Sequence, residues 1–169
     1  MSTLYVFASA AQPVFDIARV IEDAQADGWD VCLGLTPTAA RWLAGSLDGL
    51  AALTGHPVRW DGRLPGEPEV WPAASAILFA PASFAAVNQW ALGTADTFVV
   101  EVVAEAIGLG IPMVAMPCVS AAHVRHPQFE RSVETLRGAG VSVVVPQEPD
   151  LGFPWPLALS AVRERIVVG

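Results

Sequence analysis

Three turns of this chain carry hydroxyl side chains beside small residues: Ser9 in Ala8-Ser9-Ala10-Ala11, Thr36 and Thr38 around Pro37, and Ser83 in Pro81-Ala82-Ser83. Hydroxyls and free backbone N–H groups at a helix N-terminus are what a phosphate needs. No basic residue occupies these turns. A phosphate there would be held by neutral donors and helix dipoles alone. The same residues also read as ordinary helix caps, and spacing leaves both readings open. The histidines form no metal set. His123 and His126 have only Cys118 as a further soft ligand nearby, and no carboxylate completes a zinc site. There is no Walker loop, no G-x-G-x-x-G and no G-x-S-x-G. Gly108-x-Gly110 stands before a strand, not after one, and reads as a helix stop.

These turns must be positioned by the elements around them, and the pattern alternates strand and helix. Leu4–Ala8 reads as a buried strand. Pro13 starts a helix whose face is Val14, Ile17, Ala18 and Ile21, closed by Asp27-Gly28. Trp29–Leu35 is the second strand, Thr36–Thr38 a turn, and Ala39–Leu53 a helix. Residues 55–73 hold Gly55, Pro57, Gly62, Pro65, Gly66, Pro68 and Pro72, so they form a long loop with one short strand near Val58–Trp60. Further strands are expected at Ala76–Ala80, Met113–Met116 and Val141–Val145. Helices are expected at Phe84–Leu92, Thr97–Leu109, Pro127–Ala139 and Leu157–Ile166, with loops at Pro117–His126 and Glu148–Pro156. Strands separated by helices pair in parallel through right-handed crossovers. The fold class is therefore α/β: a single Rossmann-like domain over residues 1–169, built on a doubly wound parallel sheet. Ligands of such sheets bind beyond the carboxyl ends of the strands. That points to Ala8–Ala11, Thr36–Thr38, Ala80–Ala86 and Met116–His126.

Composition narrows the partners. The 169 residues are 53% hydrophobic and 15% charged, which excludes disorder and supplies a sizeable core. No stretch reaches the roughly 18 uncharged apolar residues of a membrane span; the most apolar region, Phe98 to Val119, is broken by Glu101, Glu105, Pro112 and Pro117. The apolar surplus suits buried parallel strands and subunit interfaces. The formal net charge is −8 and all nine basic residues are Arg, so nucleic acid is not an expected partner. The start lacks a basic segment and reads as a first strand, not a signal peptide. Cys32 and Cys118 sit in apolar runs and read as buried thiols in a reducing compartment, and a cytoplasmic location is expected.

The segment Pro81-Ala82-Ser83-Phe84-Ala85-Ala86-Val87-Asn88-Gln89-Trp90-Ala91-Leu92-Gly93-Thr94-Ala95-Asp96 resembles the P-A-S-A-N-T-x-x-K-x-A-x-G-x-A-D signature of the homo-oligomeric flavin-containing cysteine decarboxylases. That family includes the epidermin- and mersacidin-type peptidyl-cysteine decarboxylases and phosphopantothenoylcysteine decarboxylase. Other segments keep the family's order: Ala8–Ala11 resembles its G-S-I-A turn, Thr36–Ala39 its T-x-x-A turn, and Leu53-Thr54-Gly55-His56-Pro57-Val58 its L-T-G-x-P-V. Val133–Pro146 is similar to its ending. The resemblance implies a flavoprotein with FMN as cofactor, assembled as trimers or dodecamers with the flavin at a subunit interface. It implies that Ser9, Thr36, Thr38 and Ser83 hold the phosphate, and that the ring lies near Pro81, Ala82, Phe84 and Met116. The implied reaction oxidises the thiol side chain of a cysteine-containing peptide or small thiol, after which carbon dioxide leaves.

The departures fall on the family's working residues. Glu67 stands where the family has a His in the loop before the third core strand, and Ser75 where it has an Asp. Ala85 and Ala86 replace the Asn and Thr of P-A-S-A-N-T. The clamp P-x-M-N-x-x-M becomes Pro117-Cys118-Val119-Ser120-Ala121-Ala122-His123, so Ser120 takes the place of the carboxylate-binding Asn. His123 and Ser120 are thus the candidate catalytic residues, the imidazole as base or carboxylate donor. His56, Glu69, Trp71, Trp90 and Trp155 are weaker candidates. Two functions compete: FMN-dependent oxidative decarboxylation of a C-terminal peptidyl cysteine, and a non-catalytic flavin-binding or regulatory homologue that has lost the catalytic His and clamp Asn. Flavin prenyl transfer is disfavoured, because basic residues for a prenyl phosphate are lacking.

Overall fold

Alternation along the first strand sets the architecture. In the computed structural model, which describes residues 1–146 and 152–167, Leu4, Val6 and Ala8 enter one apolar core and Phe7 enters another on the opposite face. The strands are β1 (Thr3–Ala8), β2 (Asp30–Leu35), β3 (Ala76–Ala82), β4 (Met113–Pro117) and β5 (Ser142–Val143). All pair in parallel, in the order β2-β1-β3-β4-β5. The chain steps from β1 to β2 on one side, then crosses to β3 and moves outward. The order therefore reverses between β1 and β3, which makes a doubly wound sheet with a crevice at its carboxyl end.

Helices α1 (Ile17–Ala26), α2 (Pro37–Trp42), α3 (Leu47–Thr54) and α8 (Trp155–Val167) bury residues in the first core. Helices α4 (Phe84–Leu92), α5 (Phe98–Leu109) and α7 (Pro127–Gly138) close the second. A four-residue helix, α6 (Ala121–Val124), follows β4. Among the described residues no helix is long and apolar enough to cross a membrane.

Several expected elements shift for identifiable reasons. Pro13 starts a 3-10 turn, Gln12–Asp16, and the α-helix begins at Ile17. Its buried face uses Val20 and Ala24, while Ala18 is exposed. The expected helix 39–53 is two helices. It starts earlier, at Pro37, and breaks through a 3-10 turn at Ala44–Ser46. Strand β3 continues through Pro81 and Ala82, with a cis bond at Ala80–Pro81. The expected loop after β4 contains α6, and β5 shortens to two residues. The last helix begins at Trp155, ahead of Leu157. Part of the expected loop 148–156 lies outside the described residues.

The long segment between α3 and β3 forms a single bridge, Gly34 to Arg59, beside β2. It is pinned by its own polar groups. Trp71 Nε1 donates to the Pro57 carbonyl at 2.8 Å, and Arg63 pairs with Glu69 at 2.8 Å. The Arg59 guanidinium lies 4.2 Å from the Phe98 ring centroid and 5.2 Å from that of Trp71, a cation–π arrangement. Trp71 is thereby laid over Tyr5 and Phe7, and the segment covers that sheet face together with Phe98 of α5.

Candidate functional site

The carboxyl ends of β1, β2, β3 and β4 are tied into one edge. Ser9 N donates to the Pro81 carbonyl at 2.8 Å, Thr36 N to the Ala8 carbonyl at 3.0 Å and Cys118 N to the Ala82 carbonyl at 2.9 Å. Ser83 N donates to Ser9 Oγ at 3.1 Å. Ser9 is only 1% exposed, so it braces the Ser83 turn from beneath.

The hydroxyls cap helices. Thr36 Oγ1 accepts from Ala39 N at 3.4 Å, Ser83 Oγ from Ala86 N at 3.2 Å and Ser120 Oγ from His123 N at 3.1 Å. Thr38 Oγ1 accepts from the Arg41 guanidinium at 3.1 Å. A hydroxyl that accepts a backbone N–H keeps its own proton to give, so capping and anion binding are compatible at Ser83 and Thr36. The first amides of α4, Phe84 and Ala85, precede any helical acceptor and face outward with the helix dipole.

The expected ring-contact residues divide by burial. Pro81, Ala82 and Met116 are buried, Ala82 and Met116 completely, so they shape the floor and offer a ligand little side-chain surface. Phe84 and Ser83 are half-buried. The His123 ring stacks on Phe84, centroids 4.3 Å apart and planes 10° from parallel, and His126 meets the same ring edge-on at 5.4 Å.

Beside this edge a cavity of about 580 Å³ opens between the turn after β1, the ends of β4 and β5, α6 and the segment at Phe153. Its size and largely apolar walls suit a small-molecule site. Gln12, Cys118 and Arg125 bring its polar groups. The phase of α6 decides who faces it. Ala121, Val124 and Arg125 line the cavity; Ser120 and His123 do not, and His123 is turned to Phe84. Thus the two candidate catalytic residues and the cavity lie on different faces of one short helix. Burial pushes the Cys118 thiol above its usual range, and the Cys32 thiol up to about 12, with Asp30 adding to the latter. Burial thus favours the thiol form of both, and Cys118 stands in the cavity wall.

The other candidates lie away from the cavity lining. Glu67 is exposed and accepts from Leu64 N at 2.9 Å. Ser75 Oγ accepts from Thr3 N at 3.2 Å, at the amino end of the sheet. His56 Nε2 pairs with Asp30 at 2.8 Å, also at that end. Trp71 and Trp90 are core residues. Among the described residues one buried side-chain polar atom has no partner, Trp155 Nε1. Its ring meets Phe153 at 4.8 Å, and Phe153 lines the cavity. No motif or periodicity singles out Gln12, Arg125 or Phe153; Arg125 alone carries a signal, as a cation in a strand-end loop.

An open parallel sheet with hydroxyl-capped helices along its carboxyl edge is the architecture shared by nucleotide-binding α/β folds. A family model described as Flavoprotein matches residues 2–154, and the chain belongs to that flavoprotein family. Similar solved folds include the FMN-dependent cysteine decarboxylase SpaF, at 20% identity and TM-score 0.80 over 99% of this chain and 98% of that one. MrsD from a Bacillus species aligns at 17% identity and TM-score 0.78, over 98% and 96%. The FMN binding protein AtHal3 aligns at 17% and 0.80, over 99% and 98%. No curated protein sequence matches the chain.

Proposed function

We propose that the protein binds FMN and oxidatively decarboxylates a peptide or small thiol ending in cysteine. The observation that carries this reading is the pairing of a hydroxyl-rich edge with an adjoining apolar cavity, in a flavoprotein-family chain whose fold is that of cysteine decarboxylases. The donor set fits the cofactor. Ser83, Thr36 and Thr38, with the amides of Phe84 and Ala85, would hold the phosphate, with the Arg41 guanidinium beside Thr38, and Ser9 would keep the Ser83 turn in place. The unpartnered Trp155 N–H is a further donor next to the cavity.

Bound flavin would supply a two-electron oxidant for the cysteine side chain, whose Cβ hydrogen and thiol proton are lost in that oxidation. The cysteine becomes a thioaldehyde; its carboxylate then departs as carbon dioxide, the bonding pair passes to the thioaldehyde, and an enethiol results. The protein's part is to orient the cysteine and exclude water. Apolar walls from Val119, Val124, Val145 and Phe153 do the second. The test is the visible spectrum of the purified protein, followed by mass analysis of a cysteine-ended peptide. A flavin spectrum and a loss of about 46 Da, carbon dioxide and two hydrogens, are expected. A protein that takes up no flavin removes the proposal.

The stacking of His123 on Phe84 favours a second reading, a flavin-holding homologue without turnover. Within the first reading, the same contact leads us to expect that His123→Ala keeps turnover within about threefold, below 1 kcal/mol of barrier, with flavin content unchanged. A fall of tenfold or more, measured with a peptide the parent turns over, would instead make the imidazole the thiol base.

The proposal includes assembly into at least a trimer. Phe15 and Trp42 stack in parallel at 5.8 Å while 56% and 47% exposed, an aromatic pair suited to burial against another copy. Light scattering of the flavin-loaded protein should give at least three times the monomer mass; the monomer mass would refute it.

A further inference from the structure

We infer that Arg125 is the carboxylate anchor of this site, and that it selects substrates with a free C-terminal carboxylate on an apolar body. The inference rests on the proposed decarboxylase reading and concerns which residue grips the substrate.

Three observations carry it. First, among the described residues Arg125 is the only charged one lining the cavity, whose walls are otherwise mostly apolar. A carboxylate entering there meets one cation and no competing anion on the described walls. Second, among the described residues the guanidinium has no ion-pair or hydrogen-bond partner. Arg19 and Arg131 share that state but do not line the cavity, while Arg59, Arg63 and Arg163 are paired with carboxylates and Arg41, Arg137 and Arg165 bond to oxygens of the chain. In a protein of net charge −8, an unpaired guanidinium at the mouth of an apolar cavity is a fork left open for an incoming acid. Third, the helical phase of α6 removes the alternatives. Ser120 and His123, the latter stacked on Phe84, both lie off the cavity lining, while Arg125, which ends the helix with its own N–H bonded to the His123 carbonyl, lies on it.

The arrangement assigns separate jobs to the cavity. The guanidinium holds the carboxylate and so fixes which end of a peptide enters. The apolar walls take the residue before the terminal cysteine. Neither group needs to move a proton.

The test uses the flavin-loaded parent protein and a tripeptide ending in S-methylcysteine, in free-acid and amide forms. S-methylation removes the thiol proton that oxidation must take, so calorimetry reads binding alone. The acid should bind at least about tenfold more tightly than the amide, as a charge-assisted fork predicts. Arg125→Ala should bring the two within about twofold with its flavin-to-protein ratio unchanged. Arg125→Lys should restore part of the preference, since a point charge lacks the planar fork. Equal binding of acid and amide by the parent overturns the inference and leaves the flavin reading standing. So does loss of flavin in Arg125→Ala, which would give the guanidinium to the cofactor. A parent protein that takes up no flavin overturns the decarboxylase reading and the inference with it.

Discussion

Ser83→Asp is expected to strip the protein of flavin while leaving it folded. Asp caps helices as well as Ser does, and a negative charge at the start of α4 suits the helix dipole. The bond from Ser83 N to Ser9 Oγ uses only the backbone of residue 83 and survives. What changes is the charge met by a phosphate resting on the Phe84 and Ala85 amides. Two unit charges about 4 Å apart repel by about 4 kcal/mol at an effective dielectric of 20. Salt and rotation of the Asp side chain reduce this, so a weakening of at least about 100-fold, about 2.7 kcal/mol, is expected. Ser83→Ala should weaken binding much less, since it removes one donor and adds no charge. Titrating each apoprotein with FMN, and following the quenching of its fluorescence, measures both. Unchanged affinity in Ser83→Asp, with the melting curve intact, would move the phosphate away from this turn.

The hydroxyl turns were legible because each lies at the end of an apolar run and the rule about strand ends is local in sequence. So were helices with several turns of steady pattern, such as Phe84–Leu92, which the structure bounds at the same residues. What failed was what periodicity cannot resolve. Ala44-Gly45-Ser46 offers little side chain to mark a break, and the break appears only because Leu43 and Leu50 reach the same core. The four residues of α6 are too few to show a period. Yet their phase decides that Arg125 meets the cavity and His123 meets Phe84. Burial of Met116 and Ser9 was also beyond reach: a strand-end residue reads the same whether it points out of the sheet edge or back into the core. The family resemblance located the turns, but a residue's side of a short helix is a tertiary fact.

Gly34→Val is expected to destabilise the protein by about 3 kcal/mol, the upper part of the overpacking range. Gly34 pairs with Phe7 across β1 and β2, and the Phe7 ring lies over it. A Cβ at position 34 would stand 2.5 Å from Phe7 Cδ1 and Cε1, and 3.4 Å from Trp71 Cη2. A surface side chain would swing away. Phe7 cannot, because it is fully buried against Phe79 at 6.3 Å, Phe98 at 6.3 Å and Trp71 at 6.4 Å. Val has high strand propensity, so a loss of stability would come from the clash and not from the backbone. At about 2–4 °C per kcal/mol for a chain of this size, the melting temperature should fall by about 6–12 °C. Phe7→Leu removes ring atoms from the same space and should itself cost about 1–2 kcal/mol, less than full truncation to Ala. Combined with Gly34→Val it should cost at least about 1 kcal/mol less than the two singles added, a coupling that contact alone explains. Because Phe7 leads directly into Ala8 and Ser9, the single Gly34→Val variant should also bind flavin more weakly in the folded state, and the double variant should recover part of that binding. Additive stabilities across the cycle would mean that the ring does not depend on the missing side chain, and that the sheet edge is positioned by other contacts.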